Sequence, residues 1–261
     1  MELNNSTVLV TGGTNGIGLE FAKQLLQLGA NVIVTGRDIL KLEQTKLEYP
    51  QINIIRGDVS NPDEVSGLHK QILEQFPDLN IIINNAGVMA KEDSRAEELN
   101  MDDITREIDI NFSGTARMVT QFLPFFKTKE SAAIVNISSG LAFIPFADTP
   151  IYCGTKAAIH MYSMGLRLQL KESNIKVFEI APPKTDKPMH VGASAAQSNV
   201  KMMKVEEMVN ISLKGIVADI YEIRPGLSNV MKWMSRIAPT FFAKLVNKNA
   251  EKASKNNVNV A

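Results

Sequence analysis

Short apolar stretches alternate along the chain with longer stretches whose apolar residues recur every three or four positions. The short stretches are continuous and rich in β-branched residues, which is typical of strands buried on both faces of a parallel sheet. They predict strands at Thr7–Val10, Asn31–Thr35, Ile52–Arg56, Ile81–Asn84, Ala132–Ile137, Lys176–Ile180 and Tyr221–Arg224. The longer stretches predict helices at Ile17–Leu28, Leu40–Tyr49, Pro62–Gln75, Asp103–Phe126, Ile151–Lys171 and Val205–Val217.

The regular order of strand and helix predicts the fold class. It favours an α/β protein with a doubly wound parallel sheet of about seven strands and helices on both faces, the Rossmann type. The sequence has no internal repeat and no clear linker, so we predict one domain over residues 1–225 and a partly amphipathic tail over residues 226–261. Pro188–Asn199 is rich in Ala, Ser and Gly and predicts a mobile loop or a weak helix.

Composition and charge narrow the functional class. The 261 residues are ample for a buried core, and 28 basic residues balance 28 acidic ones, so the total charge does not favour a nucleic-acid partner. Cys153 is the single cysteine, which fits a reducing compartment. No signal-peptide pattern precedes the first strand, and no apolar run approaches the roughly 20 residues that span a bilayer. We therefore expect a cytoplasmic protein.

A glycine-rich turn, Thr11-Gly-Gly-Thr-Asn-Gly-Ile-Gly18, follows the first predicted strand. Glycines let a ligand approach the backbone, and the start of the following helix offers free N–H groups and a positive dipole end. Because the turn lies between a strand and a helix at the start of the alternating series, it predicts a dinucleotide phosphate site. The candidate residues are Gly12, Thr14, Asn15, Gly16, Ile17 and Gly18.

Tyr152 and Lys156 stand four residues apart in a predicted helix and therefore share one face. An ammonium about 4 Å from a phenol contributes roughly 4 kcal/mol at an effective dielectric of about 20. Lys156 is thus expected to lower the pKa of Tyr152 and to make it a proton donor or acceptor near neutral pH. Ser139 follows a predicted strand end, where parallel sheets build their sites. The three predict a catalytic group, although a lone Tyr-x-x-x-Lys is more often a surface pair.

No metal site is predicted, because no Cys or His cluster has metal-ligand spacing. His69, His160 and His190 lie far apart in different elements, where single core or surface histidines are the usual case. Cys153 is expected to pack beside the site.

Together these motifs resemble the short-chain dehydrogenase/reductase family over residues 6 to about 225. In chain order they are the glycine turn with its Thr-Gly-x-x-x-Gly-x-Gly spacing, Asn84-Asn85-Ala86-Gly87, Asn111, Asn136-Ile-Ser-Ser139, Tyr152-x-x-x-Lys156 and a proline after the sixth strand. Ser139-Gly-Leu-Ala-Phe143, Tyr152-Cys and Ala181-Pro-Pro183 also resemble a bacterial subgroup encoded near genes for cell-wall D-alanylation.

The resemblance implies an NAD(P)-dependent oxidoreductase that moves a hydride between nicotinamide and a carbonyl or alcohol carbon. It implies that Tyr152 is the general acid/base, that Lys156 tunes it and binds the nicotinamide ribose, and that Ser139 orients the substrate oxygen. It also implies that Asn111 holds a water linking Lys156 to solvent, a helix-bending or capping role being the alternative. The rival function is a catalytically idle dinucleotide sensor or partner protein on the same fold.

The end of the second strand bears on the choice of cofactor. NAD-preferring family members place an acid where this chain has Gly36, and the following Arg37 can pair with a 2′-phosphate that a carboxylate would repel. We therefore predict NADP(H) rather than NAD. The alternative is a solvated Arg37 with Asp38 on the ribose, although Asp38 is better suited to cap the next helix.

The resemblance places further residues around the cofactor. They are Asp58 and Val59 beside the adenine, Asn85, Ala86 and Gly87 at the ribose, and Pro182 and Thr185 near the carboxamide. Asp58 has a simple turn-forming role as its alternative. The family usually has Pro-Gly after the sixth strand and a threonine beyond it, but Pro183 replaces the glycine and Lys187 the threonine. The usual contact to the carboxamide is thus in doubt, with Thr185 as a candidate replacement.

The expected substrate is a small apolar carbonyl or alcohol. Residues expected to face it, unless they are simply core, are Met89, Leu141, Phe143, Ile144, Pro183 and Met189, under Pro188–Asn199 as a lid. By resemblance we expect a homodimer or homotetramer built on the helices Asp103–Phe126 and Ile151–Lys171.

The tail from Leu227 carries six basic residues and one acid. Such stretches can lie on anionic membranes but more often pack on their own domain or another subunit.

Overall fold

The computed structural model describes residues 1–90, 101–186 and 202–258, without the side chains of residues 103–104 and 249–258. Seven strands in these residues form one parallel sheet: β1 (Thr7–Thr11), β2 (Asn31–Gly36), β3 (Asn53–Arg56), β4 (Leu79–Asn84), β5 (Ala132–Ile137), β6 (Ile175–Ile180) and β7 (Glu222–Ile223). Their order is β3-β2-β1-β4-β5-β6-β7. The predicted doubly wound parallel sheet is confirmed, and its winding reverses between β1 and β4.

Helices lie on both faces of the sheet. They are α1 (Gly16–Gln27), α2 (Ile39–Glu48), α3 (Pro62–Gln75), α4 (Met101–Ile108), α5 (Gly114–Phe126), α6 (Pro150–Gln169), α7 (Val205–Val217), α8 (Leu227–Ile237) and α9 (Pro239–Val258). The first turn of α3 shows how the sequence determines where a helix begins. Asn61 Oδ1 accepts from the N–H groups of Asp63 and Glu64, and Pro62 takes a first-turn position that needs no N–H donor.

The alternation of side chains along β1 divides the core into two layers. Val8 and Val10 belong to a buried cluster that includes Phe21 of α1 and Leu213 of α7. Leu9 faces the opposite cluster, with side chains from α3, α5 and α6. Both faces of the strand are therefore covered, which explains why its sequence is continuously apolar. The two core layers cover the faces of the sheet, and the loops at the carboxyl ends of the strands are left to form a site.

The predicted helix Asp103–Phe126 is wrong in one respect, since it consists of three parts. Between α4 and α5 the backbone forms a π-helical turn at Asp109–Ser113. Such a turn adds a residue without changing the apolar repeat much, so periodicity does not reveal it. It contains Asn111, whose side chain it turns inward, fully buried.

The chain after residue 226 is more regular than predicted, because both α8 and α9 are helices. The predicted loop Pro188–Asn199, with Met189 and His190, lies outside the described residues, as does Lys187. In the part of the chain that the structure describes, no helix has the length and apolar character required to cross a bilayer.

Two glycine-to-alanine changes, one in α1 and one in α3, test how closely these helices are packed. A Cβ at Gly18 would lie 2.4 Å from the carbonyl oxygen of Gly12. Gly18→Ala should therefore lower the free energy of unfolding by about 1–3 kcal/mol through overpacking. Gly67, inside α3, has open space at its Cβ position. Gly67→Ala should instead raise stability by roughly 0.5–1 kcal/mol. Urea unfolding of both variants checks this, and equal effects would contradict the packing described.

Candidate active site

The glycine turn is held against the end of β4 by a side-chain clamp. Asn85 Nδ2 donates to the carbonyl oxygens of Thr11 at 3.0 Å and of Gly12 at 3.1 Å. Thr11 Oγ1 in return accepts from the backbone N–H groups of Asn85 and Ala86, each at 3.0 Å. Four hydrogen bonds thus join two strand ends at the point where the winding of the sheet reverses. In this fold class, ligands bind in the crevice at that point.

The turn itself has the shape of a phosphate cradle. Gly12 has φ +64°, and a Cβ there would lie 2.9 Å from Ala86 Cα, so only glycine fits. Gly16, which opens α1, has φ +52°. Asn15 precedes α1 without a side-chain capping bond, so its side chain does not fill the helix N-terminus. Ile17 packs partly buried against the core. The helix start therefore offers backbone N–H groups to an anion.

Gly36 and Arg37 lie beside this turn, at the end of β2. A Cβ at Gly36 would point toward Thr14, 3.7 Å from its Cγ2. Arg37 is exposed. Asp38 accepts a hydrogen bond from Lys41 N at 3.2 Å, and this backbone bond lowers the pKa of the Asp38 carboxyl. Asp38 therefore caps α2, as predicted.

The next two predicted cofactor residues shape the loop after β3. Asp58 Oδ1 accepts from the backbone N–H of Ser60 at 2.9 Å and from its hydroxyl at 2.7 Å. Asp58 is thus a turn former, as its alternative interpretation stated. Val59 is buried and packs against Gly114, where a Cβ would come within 2.8 Å of Val59 Cγ2.

Ser139, Tyr152 and Lys156 meet at the carboxyl end of β5. The Ser139 hydroxyl hydrogen-bonds with the Tyr152 phenol and accepts from Leu141 N at 3.1 Å. Lys156 Nζ donates to the carbonyl oxygen of Ile137 at 2.9 Å and lies 5.6 Å from the centroid of the Tyr152 ring. Tyr152 and Lys156 are both buried. The predicted catalytic group is therefore a spatial cluster rather than a surface pair.

Burial dominates the ionisation of this cluster. It raises the pKa of Tyr152 above its usual range, against a smaller lowering by the bond from Ser139. The expected lowering of the Tyr152 pKa by Lys156 is thus not found. Burial also lowers the pKa of Lys156 to about 8, a shift opposed by the charge of Glu107. The ammonium is directed at a carbonyl rather than at the phenol, which explains why desolvation outweighs attraction.

Asn111 connects the cluster to the loop after β4. Its Nδ2 donates to Val88 O at 2.8 Å and to Thr155 Oγ1 at 3.1 Å, while its Oδ1 accepts from Val88 N at 2.7 Å. Thr155 Oγ1 donates to the carbonyl oxygen of Tyr152 at 2.8 Å. The amide therefore fixes the helix that carries Tyr152 relative to the loop, and it does so from within the π-helical turn.

Glu107 is a site residue that the sequence reasoning missed. It is buried, its Oε2 accepts from Ala90 N at 3.4 Å, and it lies one helical turn before Asn111. Its negative charge acts to raise the pKa values of Lys156 and Tyr152. The available signal was its spacing of four residues from Asn111, which places both on one helix face.

A second missed feature is a chain of hydrogen bonds behind Ser139. Ser138 Oγ donates to Glu179 Oε1 at 2.5 Å, and His160 Nδ1 lies 2.8 Å from Glu179 Oε2. His160 follows Lys156 by one turn of α6. Glu179 thus joins the end of β5 to the helix of Tyr152 and Lys156. His160 is a core histidine, as expected, but its partner on β6 was not foreseen.

The ligating atoms of His160, Glu179 and Glu222 lie within 4.8 Å of one another. Arg224 Nη1 pairs with Glu222 Oε1 at 2.8 Å, and Lys232 Nζ contacts the same oxygen. Because cations of the protein already balance this cluster, we assign no metal to it.

The segment after β6 is anchored from two sides. Gly140 N donates to Pro182 O at 2.9 Å, which ties the segment to the Ser139 loop. Thr185 pairs with Met203 as an isolated bridge. Pro183, in this segment, is partly exposed.

The predicted substrate-facing residues differ in exposure. Met89, Leu141, Phe143 and Pro183 are partly exposed, whereas Ile144 is buried. Cys153 is a buried free cysteine, as expected.

Comparison with known proteins agrees with this geometry. A family model described as short chain dehydrogenase matches residues 6–199. The chain belongs to that family. Its enzyme class is therefore confirmed as an NAD(P)-dependent dehydrogenase/reductase.

Relatives of this family member include the uncharacterized oxidoreductase DltE of Bacillus subtilis, 38% identical over 226 residues, which cover 85% of this chain and 89% of DltE. An uncharacterized oxidoreductase of Staphylococcus aureus is 33% identical over 186 residues, covering 70% of this chain and 80% of the relative. The similarity to DltE agrees with the narrower resemblance to the subgroup encoded near cell-wall D-alanylation genes.

Solved structures of the family share the fold. A short chain dehydrogenase from Burkholderia cenocepacia in complex with NADP has TM-score 0.81 and 22% identity, covering 94% of this chain and 99% of the other. One from Sphingobium yanoikuyae in complex with NADPH has TM-score 0.78 and 27% identity, covering 87% and 90%. One from Burkholderia phymatum in complex with NAD has TM-score 0.77 and 21% identity, covering 89% and 93%.

The burial of Lys156 predicts a pH-dependent stability. Its pKa is about 8 in the folded state, against an ordinary value of 10.5 for lysine. Between these values the unfolded chain binds more protons, so the wild type gains stability as pH rises. Lys156→Met removes this gain. The free-energy difference between variant and wild type should therefore change by about 2 kcal/mol in favour of the wild type from pH 7 to pH 9.5.

Urea unfolding at both pH values measures that difference. Lys127→Met, at an exposed lysine, is the matched control and should show the same difference at both pH values. A Lys156→Met difference that does not vary with pH would show that the lysine is not buried as a charge.

Proposed function

We propose that this protein is an NADP(H)-dependent oxidoreductase that interconverts a carbonyl and an alcohol, with Tyr152 as general acid/base. The observation that carries the proposal is the buried cluster of Ser139, Tyr152 and Lys156 at the same edge of the sheet as the glycine turn. The residues present fit a dinucleotide, since the turn at Gly12 excludes a side chain and α1 presents its N-terminus without a side-chain cap. When bound, the nicotinamide supplies or accepts the hydride at its C4.

Each member of the cluster has a distinct task in this proposal. The Tyr152 phenol gives a proton to the substrate oxygen during reduction and takes it back during oxidation. Ser139, already hydrogen-bonded with that phenol, orients the same oxygen. Lys156 stands next to both and holds the ribose hydroxyls with its ammonium. Because burial keeps the phenol protonated in this structure, the Lys156 charge would act only on negative charge that develops on the phenol in the transition state.

Asn111 and its neighbours serve to position the cluster. The Asn111 amide keeps α6 at a fixed distance from the loop after β4. A water held by Asn111 would pass protons between Lys156 and solvent. Asp58 and Val59 are proposed beside the adenine, and Asn85, Ala86 and Gly87 beside the ribose. Pro182 and Thr185 are proposed near the carboxamide, in the segment anchored by Gly140.

Three observations support NADP(H) over NAD. The position facing Thr14 is Gly36, which has no carboxylate to repel a 2′-phosphate. Arg37 is exposed and adjacent, so its guanidinium is free to turn toward the phosphate. Asp38, the alternative ribose ligand, is engaged as the cap of α2. Neighbouring structures hold either cofactor, two with NADP or NADPH and one with NAD.

The site favours a small apolar substrate. Leu141 and Phe143 are partly exposed next to Ser139, and Met89 and Pro183 are partly exposed on the loops opposite. One polar anchor among apolar side chains is the usual composition of such a pocket. Exposed apolar residues on α6, Met161 and Leu168, support a homodimer or homotetramer built on this helix.

The proton role of Tyr152 is tested by removing one oxygen atom. Tyr152→Phe should lower kcat by about 10²- to 10⁴-fold while NADPH still binds, because the ring remains and only the proton donor is lost. The assay follows NADPH absorbance over a panel of apolar aldehydes and ketones. Tyr162→Phe, on the same helix, is the matched control and should keep its activity. Turnover that survives Tyr152→Phe would contradict the mechanism, and tight NADPH binding without turnover on any substrate would favour the sensor.

The role of Arg37 is tested by comparing the two cofactors. Arg37→Ala should weaken NADPH binding by roughly 10- to 100-fold, since a charge-assisted bond to the phosphate is lost, and leave NADH binding unchanged. Titration of each cofactor into the protein gives both dissociation constants. Arg106→Ala, at an exposed arginine of α4, is the control. A wild type that prefers NADH, or a loss shared equally by both cofactors, would defeat the assignment.

A further inference from the structure

Helix α8 contacts the domain with Ser228, Met231 and Lys232, and it leaves apolar side chains exposed on its other side. Ser228 is fully buried, and Lys232 reaches the Glu222 carboxylate with its Nζ 5.5 Å from the centroid of the Phe143 ring. On the opposite side of the helix, four apolar residues are exposed: Leu227, Val230, Trp233 and Ile237. A helix that packs fully on its own domain turns its apolar side inward, whereas α8 leaves these four apolar residues in solvent. The apolar side of α8 therefore lacks a partner within the described part of the chain.

Helix α9 extends the same exposed surface. Phe241 and Leu245 are 62% and 52% exposed, beside Ile237 at 76%. The helix is held in place by Asn247, whose Nδ2 donates to Pro145 O at 2.9 Å and whose Oδ1 accepts from Ala147 N at 2.7 Å. We call Leu227, Val230, Trp233, Ile237, Phe241 and Leu245 the outer tail surface.

The charged residues of the tail whose side chains the structure describes are all cations. Residues 227–250 contain Lys232, Arg236, Lys244 and Lys248 and no aspartate or glutamate. Lys232 is directed inward to Glu222, whereas the other three cations are exposed among the apolar residues. Such a surface is complementary to a partner that offers an apolar layer to the exposed side chains and negative charge to the surrounding cations.

We propose that the outer tail surface binds the interface of an anionic lipid bilayer, with α8 and α9 lying in the membrane plane. Apolar side chains would enter the boundary between headgroups and acyl chains, and Trp233 suits that depth because its ring is amphipathic. The exposed cations would remain at the level of the lipid phosphates, where their long side chains can reach.

A second copy of the chain fits the surface less well. A two-fold interface brings the same patch against itself, so the cations Arg236, Lys244 and Lys248 would lie against a second cationic patch. No acidic residue between 227 and 250 is present to offset that repulsion. Anionic lipid supplies the opposite charge across the whole surface, which is the reason for choosing it as the partner.

The single tryptophan of the chain makes the proposal directly measurable, because Trp233 lies in the proposed contact. Full-length protein is mixed with vesicles of phosphatidylcholine alone or with added phosphatidylglycerol. We expect Trp233 emission to shift to the blue and the protein to float with the anionic vesicles, with much weaker effects on the zwitterionic ones. Brominated lipids should quench the emission, and higher salt should weaken binding.

Two pairs of variants separate the apolar and electrostatic contributions. Ile237→Ser with Phe241→Ser should abolish flotation, whereas Leu47→Ser with Val217→Ser, at exposed apolar positions elsewhere, should not. Changing Arg236, Lys244 and Lys248 to Gln should weaken binding by roughly a hundredfold, because each cation near an anionic surface strengthens it about fivefold. The same change at Lys127, Lys171 and Lys214 is the charge-matched control. Thermal unfolding and NADPH titration establish that each variant is folded.

The outcomes against the proposal are equally distinct. Wild-type protein that does not bind anionic vesicles overturns it, and so does binding that the tail and control variants share equally. Trp233 emission that responds to protein concentration but not to lipid would identify a second copy as the occupant. None of these results depends on finding a substrate, so the oxidoreductase function can fail or stand independently.

Discussion

The site depends on the four hydrogen bonds by which the side chains of Thr11 and Asn85 join the ends of β1 and β4. These strands are neighbours in the sheet although two strands and three helices separate them in sequence. The helices that follow them lie on opposite faces, so a crevice opens at this place in a parallel sheet. The clamp holds the turn at Gly12 against Ala86, at the end of β4. The pairing of β4 with β5 then relates this turn to Ser139, one strand further on.

The second requirement is a buried cation. Lys156 is almost inaccessible to solvent, yet it is held by one carbonyl oxygen and by the distant charge of Glu107. Burying an ammonium with so few partners costs stability, and proteins retain such groups where chemistry needs them. Packing around α6 supplies the compensation, since Leu166 and Ile159 on that helix are buried. In the function we propose, the ribose hydroxyls of a bound dinucleotide would relieve this unfavourable burial of the ammonium.

Much of this arrangement could be predicted from the sequence because it is local. The glycine turn, the strand ends and the spacing of Tyr152 and Lys156 each lie within a few residues and carry their own periodic or steric signal. Other features depend on contacts between distant segments. The pairing of Glu179 with His160 and Ser138 joins β6, α6 and β5, and no spacing rule connects them. The π-helical turn at Asn111 changes the backbone without changing the apolar pattern.

The contact between Lys232 and Glu222 bears on the coupling between the site near Ser139 and the outer tail surface. Helix α8 rests on the loop that begins at Ser139, and the Lys232 ammonium lies over the Phe143 ring. One helix is therefore shared by the Ser139 loop and by the outer tail surface. If a ligand on either side shifts α8, thermodynamic reciprocity requires that each ligand alters the affinity of the other by the same factor. The affinity of the tail for its partner would then depend on whether the site near Ser139 holds a ligand.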